Sequence, residues 1–182
     1  ICSSISAFTA QMLAMVSIPI YFQHQLGLNA IQTGLLMTPW PLATMLTAPL
    51  AGRLLERYHA GLLGGIGMLL FAGGLWGLAS LPDSPGFALI LAWMMLCGAG
   101  FGLFQSPNNH TIITAAPIHR SGGASGMLST ARLVGQTSGA ALVALAFNLF
   151  VDDGTHVALL AASAFAVIAA LVSSSRMRQA LP

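Results

Sequence analysis

The sequence predicts an all-α membrane protein, a bundle of six transmembrane helices. Three observations lead there. Only ten of the 182 residues are charged, 5%, while 56% are apolar; an average soluble domain has roughly 25% charged residues. The charges are so spaced that residues 1–52, 58–82, 84–119, 133–151 and 154–175 carry none, and about 20 apolar residues are enough to cross the hydrocarbon of a bilayer. These runs are unbroken mixtures of Leu, Ala, Gly, Met and Ile. They lack the polar–apolar alternation, in strands of about ten residues, that a β-barrel requires.

The same composition excludes other classes. Ten charges cannot clothe a soluble domain of this size. A chain this apolar is not disordered, and six arginines without a lysine make no basic stripe for nucleic acid. Cys2 and Cys97 both lie in apolar runs, so neither a disulfide framework nor a cysteine metal site is expected. The chain opens on Ile1-Cys2-Ser3-Ser4, with no preceding basic segment. It therefore reads as a piece of a longer protein, cut near the start of a helix.

The expected spans run over 3–25, 30–57, 60–81, 86–116, 122–151 and 155–174. Turn chemistry separates them: Gly27-Leu28-Asn29, His59-Ala60-Gly61, Pro82-Asp83-Ser84-Pro85-Gly86, Pro117, and Asp152-Asp153-Gly154. Short connections make successive spans antiparallel. One side then carries Arg53, Arg57, Arg120, Arg176 and Arg178, and the other Asp83, Asp152 and Asp153 with no arginine. By the positive-inside rule the arginine side is cytoplasmic, and with six spans both ends of the chain are too.

The spans alternate in character. The first carries Ser4, Ser6, Thr9 and Gln11, and the fourth Gln105, Asn108, Asn109 and His110. The second carries Pro39, Pro41 and Pro49, and the fifth Gly122, Gly126, Gly135 and Gly139. The third and sixth are plain apolar. Polar, distorted, plain, repeated once, suggests a three-plus-three repeat, with residues 1–81 as one unit, 86–174 as the second and 175–182 as a cytoplasmic tail.

A bare amide in hydrocarbon costs several kcal/mol, so Gln105, Asn108 and Asn109, beside Pro107, must face protein or a wet cavity. Gln105 and Asn108, with Phe101 and Met94 continuing their side of the helix, read as a cavity wall that hydrogen-bonds a solute. The alternative is interhelical adhesion and rescue of the carbonyl that Pro107 leaves unbonded. On the first span Ser4, Phe8, Gln11, Met15, Ile18 and Phe22 fall on one stripe, with Gln11 as a polar centre facing either solute or core. Arg132 is the one charge deep in a span. It needs water, carbonyls or a partner, and no carboxylate of this chain is placed to meet it, so a structural or gating role is expected. Arg53, Glu56 and Arg57 cluster at the cytoplasmic end of the second span. The pairs Gly61/Gly65, Gly73/Gly77, Gly98/Gly102 and Gly135/Gly139 suit close helix packing.

No enzyme is legible. The histidines at 24, 59, 110, 119 and 156 lack a metalloprotease spacing. Gly123-Ala124-Ser125-Gly126 is not a nucleophile elbow, and no phosphate loop serves ATP.

Several stretches resemble the fourteen-helix EmrB/QacA-type drug/proton antiporters of the major facilitator superfamily. Ile18-Pro19-Ile20-Tyr21-Phe22-Gln23 with Leu26-Gly27 and Gly34-Leu35 is one. Pro49-Leu50-Ala51-Gly52-Arg53-Leu54 followed by Glu56-Arg57 is another. The longest runs from Gly100 through Phe101-Gly102-Leu103-Phe104, Pro107-Asn108, Pro117, Ala124-Ser125-Gly126, Arg132 and Gly135 to Gly139. The resemblance implies the C-terminal six-helix half of such a transporter, in a bacterial inner membrane. First and fourth helices would line a central cavity, second and fifth would meet the missing N-terminal half, and third and sixth would face the lipid bilayer. It implies export of small hydrophobic or cationic solutes, driven by the proton gradient with no cofactor. The segment after Arg57, Tyr58-His59-Ala60-Gly61-Leu62, lacks the later basic residue of the family's loop motif, and Ser121 separates Arg120 from Gly122.

Overall fold

A computed structural model describes residues 1–82, 85–117, 121–150 and 153–175. The described residues fold into helices alone: α1 (Cys2–Ile20), α2 (Ala30–Met37), α3 (Pro39–Leu54), α4 (Ala60–Ala79), α5 (Phe87–Thr114), α6 (Ser121–Leu149) and α7 (Gly154–Ser175). Most boundaries fall within about three residues of the expected ones. Four stretches, Cys2–Gln25, Ala60–Ala79, Phe87–Thr114 and Gly154–Ser175, are long and apolar enough to cross a membrane.

Three expectations are corrected. The second span is two helices, broken at Thr38. Pro39 and Pro41 have no N–H to offer the carbonyls one turn back, so the ladder fails there. Thr38 closes α2 instead, its backbone N–H reaching Gly34 O (3.2 Å) and Leu35 O (3.3 Å) and its hydroxyl donating to Gly34 O (2.9 Å). At the far end α3 stops at Leu54 rather than at Arg57, and Glu56 and Arg57 sit on the following turn. The third correction is at the end of α1. Past Pro19 the chain widens into a π-helical turn, Tyr21–Gln25, and exits through Gly27 at φ +64°, a left-handed conformation that suits glycine. Asn29 then starts α2 by accepting from Gln32 N (2.9 Å) while Gln32 Oε1 accepts from Asn29 N (3.1 Å), a reciprocal cap.

The packing has a simple plan. α1 lies against α6 and α7; α5 lies against α3 and α4; α4 and α7 join the two groups. α4 and α7 are antiparallel, since Ser173 Oγ reaches Gly61 O (3.4 Å) at one end and His156 Nδ1 reaches Ala79 O (2.9 Å) at the other. α1 and α6 run parallel, as do α3 and α5, and each pair is tied by a threonine. Thr9 Oγ1 donates to Gly135 O (3.1 Å), and Thr44 Oγ1 to Gly98 O (2.9 Å). Glycines allow these approaches. A Cβ on Gly135 would lie 2.6 Å from Ile5 O, and one on Gly100 would lie 2.6 Å from Gly67 O. Gly73, by contrast, has nothing within 4 Å, so the Gly73/Gly77 pair packs only through Gly77, against Trp93.

Burial is uneven. α1 buries ten of nineteen residues, whereas α3 buries three of sixteen and α6 six of twenty-nine. The core is centred on Phe8, Phe71, Phe101, Phe104 and Met68 where α1, α4 and α5 meet.

Candidate functional site

The amides expected on α1 and α5 divide into two kinds. Asn108 is buried and engaged: Nδ2 donates to Ser4 Oγ (2.9 Å), and the Ser4 hydroxyl lies 3.3 Å from Oδ1. This bond ties the start of α1 to the end of α5. Asn109 Oδ1 is buried without a hydrogen-bond partner among the described residues. Gln105 and Gln11 are half-buried. Among the described residues neither side chain makes a hydrogen bond, and neither amide has a fully buried atom.

Aromatic rings fill the space beside the Ser4–Asn108 tie. Phe101 is 2% exposed, edge-on to Phe8 (centroids 6.0 Å) and to Phe71 (5.6 Å), and tilted against Phe104 (6.4 Å). Phe71 in turn meets Trp40 edge-on at 5.4 Å. Such pairs favour edge-to-face geometry because the ring edge is positive and the face negative. The series links α1, α5, α4 and α3 through the centre of the bundle.

Phe101 and Asn108, expected on a cavity wall, are buried inside the bundle, where packed or bonded partners cover each. The α1 stripe is also mostly core: Ser4, Phe8, Ile18 and Phe22 are buried, Gln11 is partly open, and Met15 is exposed. Helical spacing identifies which residues share a face but not which neighbour covers it.

Arg132 has the partner that the sequence did not reveal. Its guanidinium carbon lies 5.6 Å from the centroid of the Phe8 ring, within reach of a cation–π attraction. The residue is otherwise exposed on α6. Arg53, Glu56 and Arg57 are exposed at the end of α3. His110 is exposed on the last turns of α5. Arg120, Arg176, Arg178, Asp83 and Asp152 lie outside the described residues. Asp153 is described, at the end of the bundle opposite Arg53 and Arg57.

A cavity of about 660 Å³ opens at that same opposite end, between the π-helical turn, the C-terminus of α4 and the N-terminus of α7. It is distant from the amides. Nothing in composition or spacing pointed to it, since it depends on the widened turn that brings Tyr21 and Gln25 to its wall.

The chain matches the Major Facilitator Superfamily over residues 1–178. It belongs to that family. It is 65% identical over 179 residues to the uncharacterized transporter YebQ of Escherichia coli (strain K12), covering 98% of this chain and 39% of YebQ. It is 34% identical over 127 residues to the multidrug resistance protein Stp of Mycobacterium tuberculosis, covering 68% of the chain and 23% of Stp. It is 31% identical over 129 residues to the riboflavin transporter RibZ of Clostridioides difficile (strain 630), covering 70% of the chain and 28% of RibZ. The chain thus spans well under half the length of these relatives. Two of these relatives carry the name of transporter and the third that of multidrug resistance protein.

Proposed function

We propose that this chain is the C-terminal six-helix half of a proton-coupled exporter of the fourteen-helix EmrB/QacA type. It acts by alternating access on small hydrophobic or cationic solutes, in a bacterial inner membrane with both ends of the segment cytoplasmic. The carrying observation is the state of Gln11 and Gln105. They stand on the two polar helices, at depths where an amide needs a partner, and no side chain or backbone of the described residues supplies one. A solute seated against α1 and α5 would.

The packing plan supports a half-transporter. Exchange α1 with α5, α3 with α6, and α4 with α7. The α1–α6 contact becomes α5–α3, α1–α7 becomes α5–α4, and α4–α7 maps on itself. Each of the pairs α1–α6 and α3–α5 also carries one threonine-to-glycine tie, though with the threonine on α1 in one and on α3 in the other. This exchange of helix contacts is the behaviour of two three-helix units related by a pseudo-two-fold axis. The sparse burial of α3 and α6 suits helices covered by the other half of the transporter, with Arg132 and Phe8 at the edge of that contact. Asn108 and Phe101 then hold the wall on which the two glutamines stand. Arg53, Glu56 and Arg57 remain candidates for gating contacts.

Similarity to a riboflavin transporter favours a second reading, transport of one specific metabolite. The test is transport by the full-length protein in proteoliposomes, across a panel of cationic dyes, neutral hydrophobic drugs and flavins. Multidrug export predicts uptake of several chemical classes and a changed preference among them in Gln11→Ala and Gln105→Ala. Transport of a single class supports the metabolite reading, and an unchanged preference in both variants at equal protein level removes the glutamines from the site.

A further inference from the structure

The cavity at the end opposite Arg53 lies outside the proposed transport site, and its chemistry points to a different ligand. Its floor is apolar, with Leu78 and Leu159 both buried. Its rim carries Tyr21, Gln25, Asp153 and His156. Among the described residues, no lysine or arginine lines it.

The electrostatics favour a cation. The C-terminal end of α4 faces the cavity, as does the π-helical turn that ends α1, and helix C-termini carry partial negative charge. The opposing positive end of α7 is offset by the carboxylate of Asp153 at its entrance. His156 adds an acceptor. Ala79 O can only accept, so the 2.9 Å contact with His156 Nδ1 makes that nitrogen the donor. In the neutral ring Nε2 is then left as an acceptor. The Gln25 carbonyl brings further acceptor capacity to the rim.

Depth and shape limit the ligand further. The cavity sits level with the ends of α4 and α7, one turn beyond the exposed Trp76, and tryptophan marks the membrane–water boundary. A head at this level has hydrocarbon beside it. We infer that this cavity binds the ammonium head of an amphiphile, with Asp153 as counter-ion and Leu78 and Leu159 against the first carbons of the tail. The head is that of either an aminophospholipid or an amine-bearing solute arriving from the bilayer.

The test is photolabelling of the purified full-length transporter in nanodiscs. The probes are diazirine-bearing phosphatidylethanolamine and dodecylamine, with the matching phosphatidylglycerol and dodecanol as controls. The readout is adduct on the peptides around residues 21–26, 78–82 and 153–159. We expect amine probes to label these peptides more than their controls. Asp153→Asn should lower that labelling by up to about fivefold, the range of one exposed ion pair, and Ala79→Trp should block it by filling the space. Labelling by the lipid probe alone identifies a lipid headgroup, and by dodecylamine alone a solute; either supports the site. Equal labelling by the controls, or labelling that Asp153→Asn leaves unchanged, overturns it. The readout needs no transport, so the export reading can fail while this one stands, and the reverse.

Discussion

Asn108 and Gln105 are three residues apart on one helix, and the structure gives them different work. Asn108 is covered and bonded to Ser4, 104 positions away in the chain. Gln105 is half-open and unbonded among the described residues. A hydrogen bond between membrane helices contributes about 0.6 kcal/mol on average and rarely more than about 1.7. Asn108→Ala should therefore lower the thermal midpoint of the detergent-solubilised protein, and Ser4→Ala should lower it too. Because both remove one interaction, the double variant should cost less than the sum of the singles. Gln105→Ala should leave the midpoint close to that of the parent. Fluorescence-detected thermal unfolding of the four variants checks this. Strict additivity of Ser4 and Asn108 would show that the tie contributes nothing. Arg132 teaches the same lesson as Asn108. An embedded arginine demands a partner, and here the partner is the face of Phe8 rather than a carboxylate.

At the scale of the element, glycine placement decides how closely helices approach. A Cβ on Gly100 would lie 2.5 Å from Phe71 N and 2.6 Å from Gly67 O, both rigid backbone atoms. Gly100→Ala should therefore force α4 and α5 apart, at a cost of about 1–3 kcal/mol, seen as lost yield of folded protein. Gly73→Ala meets open space and gains helix propensity of up to about 1 kcal/mol, so its yield should match or exceed the parent's. Equal behaviour of the two would mean that α4 and α5 do not cross at Gly67 and Gly100. Most of this architecture was legible beforehand, because charge-free runs and turn residues mark helices directly. The prolines at 39 and 41 announced a distortion of the second span, but the break at Thr38 depends on which carbonyls find other donors. The π-helical turn had no signal beyond Pro19. The cavity lined by Tyr21 and Gln25 was hidden with it. The polar face of α5 was legible; its division into bonded and open amides was not, because a single helix cannot say that Ser4 stands opposite Asn108.

For the molecule as a whole, the question is where the proton is carried. Antiport coupled to a proton gradient needs a group that titrates at membrane depth, and such groups are acidic residues or histidines that face a cavity. The chain has four acidic residues. Glu56 is exposed on the turn after α3 and Asp153 is exposed at the opposite end, while Asp83 and Asp152 lie outside the described residues. Neither described carboxylate belongs to a helix interior. His110 stands on α5 but is exposed, four residues before the end of that helix at Thr114. On the proposed reading Gln11 and Gln105 meet the solute, and amides do not titrate, so the proton-carrying group is expected in the part of the transporter outside this chain. Substrate-induced proton release from the purified full-length protein tests the division. His110→Ala and Glu56→Gln should each release protons as the parent does. Loss of release in either variant, with solute binding retained, would move the coupling site into this half and overturn the assignment.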